Sequence, residues 1–246
     1  MKMPWARALR IGAALTALAA LDLGCGGSEP EPKTARHHHE DEEPEQQPEK
    51  SSMKMGAELG ALDEAKTDAV FAALLPSLER CLHQGAEQVE FLGGGVNFFV
   101  KVDADGSVAS AYFEESTLGD RETERCMLSA VRKKRWPKPV GGEVGYARKS
   151  FDFDPPNDVR PPEEWESNRV SDALDSLSKK IDSCKDGVRG KFGATMYVDT
   201  SGKVLAVGVT PPDESGDESV DCLVGVLKDA KMPSPGSWPA KVSFQL

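Results

Sequence analysis

The body of this 246-residue chain repeats itself, and the repeat limits what it can fold into more than any single motif does. Asp103-Ala104-Asp105-Gly106 aligns with Asp199-Thr200-Ser201-Gly202. Twenty-three residues separate Asp103 from Cys126, and the same number separate Asp199 from Cys222. Eleven separate Cys126 from Pro137 and, again, Cys222 from Pro233. Trp136-Pro137-Lys138-Pro139 matches Met232-Pro233-Ser234-Pro235, and Phe151-Asp152-Phe153 matches Phe244-Gln245-Leu246. Upstream, Cys81 matches Cys184, with about seven extra residues in the first copy around Glu90 to Gly95. Self-similarity of this kind makes the repeat, and not the chain, the unit whose fold must be derived.

Periodicity supplies the elements of each copy. Val70, Phe71, Leu74, Leu75, Leu78, Cys81 and Leu82 follow a helical period, as do Val170, Leu174, Leu177, Ile181 and Cys184. Pro76 is expected to kink or split the first of these helices, because an interior proline removes a hydrogen bond and costs roughly 3 kcal/mol. Val96, Phe98, Val100 and Val102 alternate in strand fashion, as do Phe192, Ala194, Met196 and Val198. Asp103 to Gly106 and Asp199 to Gly202 read as the turns, and Val108 to Phe113 and Val204 to Val209 as the return strands. A second helix carries Cys126, Met127, Ala130 and Val131 in one copy and Cys222, Leu223, Val226 and Leu227 in the other. The Pro-x-Pro segment ends it, since proline cannot continue a helix. A last strand closes each copy, at about Tyr146 to Phe153 and Val242 to Leu246. The expected fold class is α+β: two tandem α-β-β-α-β modules, each with a small antiparallel sheet and helices on one face. The boundaries read as 63–155 and 168–246, with 156–167 as linker.

Modules this small bury limited apolar surface and gain from a covalent staple. Each copy places one cysteine on the buried face of each helix. Four cysteines allow three pairings, and the repeat symmetry selects Cys81–Cys126 and Cys184–Cys222. Four unpaired thiols are the alternative. A zinc site has little support, because no CxxC spacing exists and the repeated units hold only one histidine, His83.

The N-terminus reads as an address. Lys2, Arg7 and Arg10 precede an apolar run from Ile11 to about Leu21, too short for the roughly 20 residues that span a bilayer. Leu21-Asp22-Leu23-Gly24-Cys25 resembles the lipobox of bacterial lipoproteins, which implies a signal peptide over 1–25, lipidation of Cys25 and an outer-membrane anchor. Cleavage after Ala17-Leu18-Ala19, releasing a soluble periplasmic or secreted protein, is the alternative. Residues 26–62 are rich in Pro, Glu and Gln and are expected to form a disordered acidic linker. Nine acids and four bases between 26 and 60 supply −5 of the net charge of −11. An acidic balance of this size argues against nucleic acid as a partner. His37, His38 and His39 lie in that linker, where nothing sets ligand geometry.

No catalytic arrangement is legible. No Gly-x-Ser-x-Gly elbow and no Gly-x-x-x-x-Gly-Lys loop occurs. Gly93-Gly94-Gly95 precedes a strand, so it reads as a flexible entry to that strand. Asp103 and Asp105 form an incomplete calcium loop and read as a turn. Glu114 and Glu115, adjacent on a strand, should point to opposite faces. Trp136 reads as a core plug, because its counterpart is Met232. The expectation is a protein that is not an enzyme, with no cofactor and no metal.

The pattern of helix cysteine, Asp-x-x-Gly hairpin, second helix cysteine, Pro-x-Pro and terminal strand resembles the C-terminal domain of the AgmX/PglI type. That domain belongs to myxobacterial gliding-motility and envelope proteins and is similar to the C-terminal domain of TonB. The resemblance covers about 64–153 and 169–246. It implies a periplasm-facing module that binds or scaffolds other envelope proteins, with motility or transport as contexts and an exposed sheet edge as one route. A lipid anchor transmits no force from the inner membrane, so TonB's energy transduction is not implied. The alternative is a purely structural or self-associating lipoprotein.

Overall fold

The computed structural model describes residues 59–246. Cys25 and His37 to His39 lie outside the described residues. Among the described residues, no helix is long and apolar enough to cross a membrane. The described residues form a mixed α+β fold with four α-helices, two small sheets and two disulfides.

The first half runs α1 (Glu64–Ala86), β1 (Gly94–Asp103), β2 (Val108–Ser116), α2 (Arg121–Arg132) and β3 (Val144–Phe153). Asp63 starts α1 by accepting the Lys66 amide at 3.0 Å, and Asp120 starts α2 by accepting the Thr123 amide at 3.0 Å. The strands pair antiparallel in the order β2-β1-β3. Val96, Phe98, Val100 and Val102 face inward, against Phe71, Leu74 and Leu78 of α1 and Met127 and Val131 of α2. Trp136 closes one end of this core, edge-on to Phe71 at 4.9 Å, and Met232 is buried in the other half's core. Burying each such large side chain contributes about 1.5–3 kcal/mol.

The second half runs β4 (Glu163–Trp165), α3 (Ser171–Lys185), β5 (Gly193–Val198), β6 (Val204–Thr210), α4 (Asp217–Lys228) and β7 (Ala240–Gln245). Its sheet order is β4-β7-β5-β6. Ala194, Met196 and Val198 pack against Ile181 and Cys184 of α3 and Leu223 and Leu227 of α4.

Several expectations need correction. Pro76 does not split α1, which is unbroken over 23 residues. Proline forfeits a single amide there, while Leu74 and Leu78, buried on either side of it, hold the helix to the core. The linker 156–167 is not wholly a linker, because β4 arises within it and pairs parallel with β7. The second sheet is therefore mixed, not antiparallel. Residues 59–62 are not all linker either: Leu59 bridges Val144 in parallel, Ala61 bridges Val140, and Leu62 packs on the first core. The terminal strands also align differently. Val102 pairs with Gly145 and Val198 with Ala240. Continuing those registers makes Phe151 the counterpart of Leu246, not of Phe244. Side-chain type could not place a strand whose register is set by pairing.

Candidate functional site

The repeated turns are scaffolding. Gly106 and Gly202 have φ of +87° and +80°, and their carbonyls accept the amides of Trp136 and Met232, each at 2.9 Å. A Cβ on Gly106 would stand 2.5 Å from the Trp136 carbonyl oxygen, so the turn and the segment after the second helix are locked together. The aligned aspartates differ in detail. Asp199 Oδ1 accepts the Ser201 and Lys203 amides, whereas in the first half Asp105 accepts from Ser107. The Ser107 hydroxyl and amide hold Asp105 down to about 2. Pro137 and Pro139 are half-buried and lead the chain toward Val140; Pro233 is exposed and Pro235 half-buried. Among the described residues, no group of three or more His, Cys, Asp or Glu could hold a metal ion.

Cys81 bonds Cys126 and Cys184 bonds Cys222, with Cα separations of 5.7 and 5.5 Å. Only Cys81 and Cys184 are buried. Cys126 is half-buried and Cys222 exposed, which corrects the expectation of two inward-facing cysteines per copy. The bridges span the flank where paired helices meet, and that flank opens to solvent. Structural disulfides suit an oxidising compartment.

Glu114 and Glu115 reach the same face, contrary to simple alternation. The register of β1 on β2 shifts between Asn97 and Phe98, so Glu114 is an extra residue. Such a bulge reverses the alternation locally. Glu114 accepts from Arg148 at 2.8 Å and Glu115 from Asn97 at 3.1 Å, and both partners lie on the outer face with Phe99.

Two features stand out as places where the molecule can act. One is the edge of the first sheet. Leu59 meets β3 only at Val144, so among the described residues Gly145 to Phe153 has strand pairing on one side alone. An unpaired edge presents backbone donors and acceptors ready for another strand. Four large apolar side chains are exposed among the described residues, and three flank this edge: Leu59 (58%), Val140 (73%) and Tyr146 (43%). The matching edge of the second sheet shows how such a site is filled, because β4 lies parallel along Ala240 to Val242 with Trp165 packed on the core.

The other feature is the seam between the halves. The outer face of the second sheet is covered by the first half. Tyr197 is fully buried, 5.5 Å from Phe91, and its hydroxyl donates to the Gly93 carbonyl at 3.1 Å. Lys241 donates to the same carbonyl at 2.8 Å and sits over the Tyr197 ring. Burial pushes the Tyr197 phenol up and the Lys241 ammonium down. Phe91 and Gly93 belong to the extra residues of the first copy, so the segment that breaks the repeat makes this contact. The triple glycine is thus not a flexible entry. At Gly94, φ is +145° and a Cβ would stand 2.5 Å from the Thr117 carbonyl oxygen, and the Gly95 amide donates to the Thr117 hydroxyl at 2.9 Å. The approach at Gly94 is one that only glycine permits.

Glu124 of α2 also lies in the seam, 1% exposed, with Oε1 accepting from the Ser116 hydroxyl at 2.6 Å. Burial pushes its carboxyl up to about 7. Sequence reasoning passed over Glu124 and Tyr197, although signals existed. Glu124 stands three and seven residues before Met127 and Val131, on the apolar stripe of its helix. Val204 to Val209 is apolar without interruption, the mark of a strand buried on both faces.

Comparison with protein-family models, curated proteins and solved structures finds no match.

Proposed function

We propose that the chain is a non-catalytic cell-envelope lipoprotein whose two halves are AgmX/TonB-C-like modules that bind or scaffold other envelope proteins. The free edge of β3 is its docking site. The reading rests on one observation: a strand edge that is unpaired among the described residues and ringed by Leu59, Val140 and Tyr146, in a molecule that covers the matching edge of its other sheet with β4. The occupant is an extended segment of a partner protein that adds to β3 by main-chain hydrogen bonds and lays apolar side chains on the flanking three. Anchoring through Cys25 would hold the modules at the outer membrane, and the two disulfides support an oxidising compartment. No cofactor enters this role.

Photo-crosslinking in cells tests it, with the crosslinker placed in the full-length protein at Ser150 on the edge or at Ala72 on the exposed side of α1. The expected result is a discrete envelope protein captured from Ser150 and not from Ala72. Leu59→Asp with Val140→Asp should lower that yield by roughly tenfold while leaving the circular dichroism unchanged. Equal yields from both positions, or indifference to the double substitution, would remove the edge from consideration. Capture of a second copy of this chain would instead assign the edge to self-assembly.

A further inference from the structure

Among the described residues, Glu124 is the only acidic or basic side chain that is fully buried. Its surroundings are built around a carboxyl group yet leave half of that group unserved. Ser116 donates to Oε1, and Oε2 has no hydrogen-bond partner. Across the seam stands Gly208 of β6, where a Cβ would strike the carboxyl group itself, so the second half closes directly onto it. The Arg121 charge and the Gly119 amide favour the ionised form but are outweighed by burial, and Arg121 is shared with a carboxylate of the second half. Arg121 gives its Nε to Asp221 of α4 at 2.8 Å, and Arg125 binds the same carboxylate at 2.8 Å. The other charged or titratable groups around the site are Asp120 on the same helix, Lys228 of α4, which feels Asp120, and Tyr197 of β5. Asp120 opposes ionisation of Glu124, and Tyr197 is uncharged. A carboxylate placed there is desolvated with no direct ion-pair partner; a carboxylic acid escapes the penalty of a buried charge.

We propose that the seam between the halves is a proton-operated latch, clamped while Glu124 carries a proton and loosened when it ionises, which uncovers the outer face of the second sheet. The rim suits a joint that can open. Beyond the Asp221 cluster, Lys101–Glu214 at 3.5 Å and Arg132–Asp217 at 3.6 Å tie the halves through partly exposed ion pairs that water can replace at small cost. The apolar clasp of Phe91 on Tyr197 resists opening but does not depend on pH. Opening gives Glu124 water and restores ordinary carboxylate behaviour, so closure weakens as pH rises toward and through neutrality. The latch stands or falls independently of whether β3 docks a partner.

Between pH 6 and pH 8 the closing equilibrium should weaken about tenfold, by linkage between the closed group near 7 and an ordinary open carboxyl. Native-state hydrogen exchange on the full-length protein reads this at two seam amides. Gly93 donates to Tyr197 across the seam, and Leu118 donates to the Ser116 hydroxyl that serves Glu124. Corrected for intrinsic rates, their protection should fall about tenfold from pH 6 to pH 8 and should lie well below that of Val100 inside β1, whose exchange requires unfolding of the half and not only opening of the seam. Glu124→Gln should keep them protected at both values. The proposal is overturned if seam protection is independent of pH or if its pH dependence survives Glu124→Gln. Should that variant fail to fold, carbon-13 titration of the Glu124 carboxyl in the native protein decides. A midpoint within about one unit of 7 that tracks the exchange supports the latch, and an ordinary carboxylate midpoint refutes it.

Discussion

Replacing Glu124 by Gln should stabilise the whole fold at alkaline pH, although it deletes a charged group and adds no contact. The side chain is 1% exposed, and burial raises its carboxyl from the ordinary 4.5 to about 7. A carboxyl raised in the folded state favours folding most below its unfolded value. That advantage drains away as pH climbs from about 4.5 to about 7, and above 7 the full penalty persists. The shift of two to three units corresponds to roughly 3 kcal/mol, at 1.36 kcal/mol per unit. Glutamine is isosteric and can still accept from Ser116, so it keeps the packing and escapes the titration. Its amide brings two protons to a position where Glu124 Oε2 has no partner, so the comparison across pH is sharper than the value at any one pH. Urea unfolding of both proteins at pH 4.5 and pH 8 should show the stability difference moving by roughly 3 kcal/mol in favour of Gln. A difference that stays constant between the two pH values would refute the reasoning, since it would mean that Glu124 titrates alike in folded and unfolded chains.

Other perturbations follow from the same geometry. Cys184→Ser with Cys222→Ser opens a loop spanning 38 residues and should cost about 4 kcal/mol in the chain-entropy model, measured by denaturant unfolding without reductant. A cost near zero would show that the exposed bridge constrains nothing. Gly202→Ala forces φ of +80° on a side chain whose Cβ meets the Met232 carbonyl oxygen, so a loss of at least about 1–3 kcal/mol is expected in thermal melts. An unchanged melting temperature would contradict the locked turn.

Much of the fold was legible because periodicity and spacing are local. The alternation of Val96, Phe98, Val100 and Val102 marked a half-buried strand, and those residues do line a core. The equal spacing from turn to cysteine singled out the two disulfides that form. Trp136 and its counterpart Met232 were read as core plugs, and both are buried. Local rules failed where a neighbour overrode them. The bulge at Glu114 turned two adjacent glutamates to one face, and the packing of Leu74 and Leu78 carried α1 through Pro76.

The candidate sites fell outside what local pattern can express. An edge is a property of strand order, and hydrophobic period does not say which strand is last. Among the described residues β3 is free beyond Val144, where Leu59 meets it, whereas β4 shields β7 over three residues. The seam is a property of how two bodies meet. Glu124 is a surface-type residue by composition and becomes a buried acid only because Gly208 closes over it. By itself the chain's sequence determined the elements, their turns and their staples, since these depend on residues near one another or held at repeated spacings. Only the tertiary structure decided which edge stays open and which carboxyl loses water, because burial is set by the partner surface and not by the residue buried.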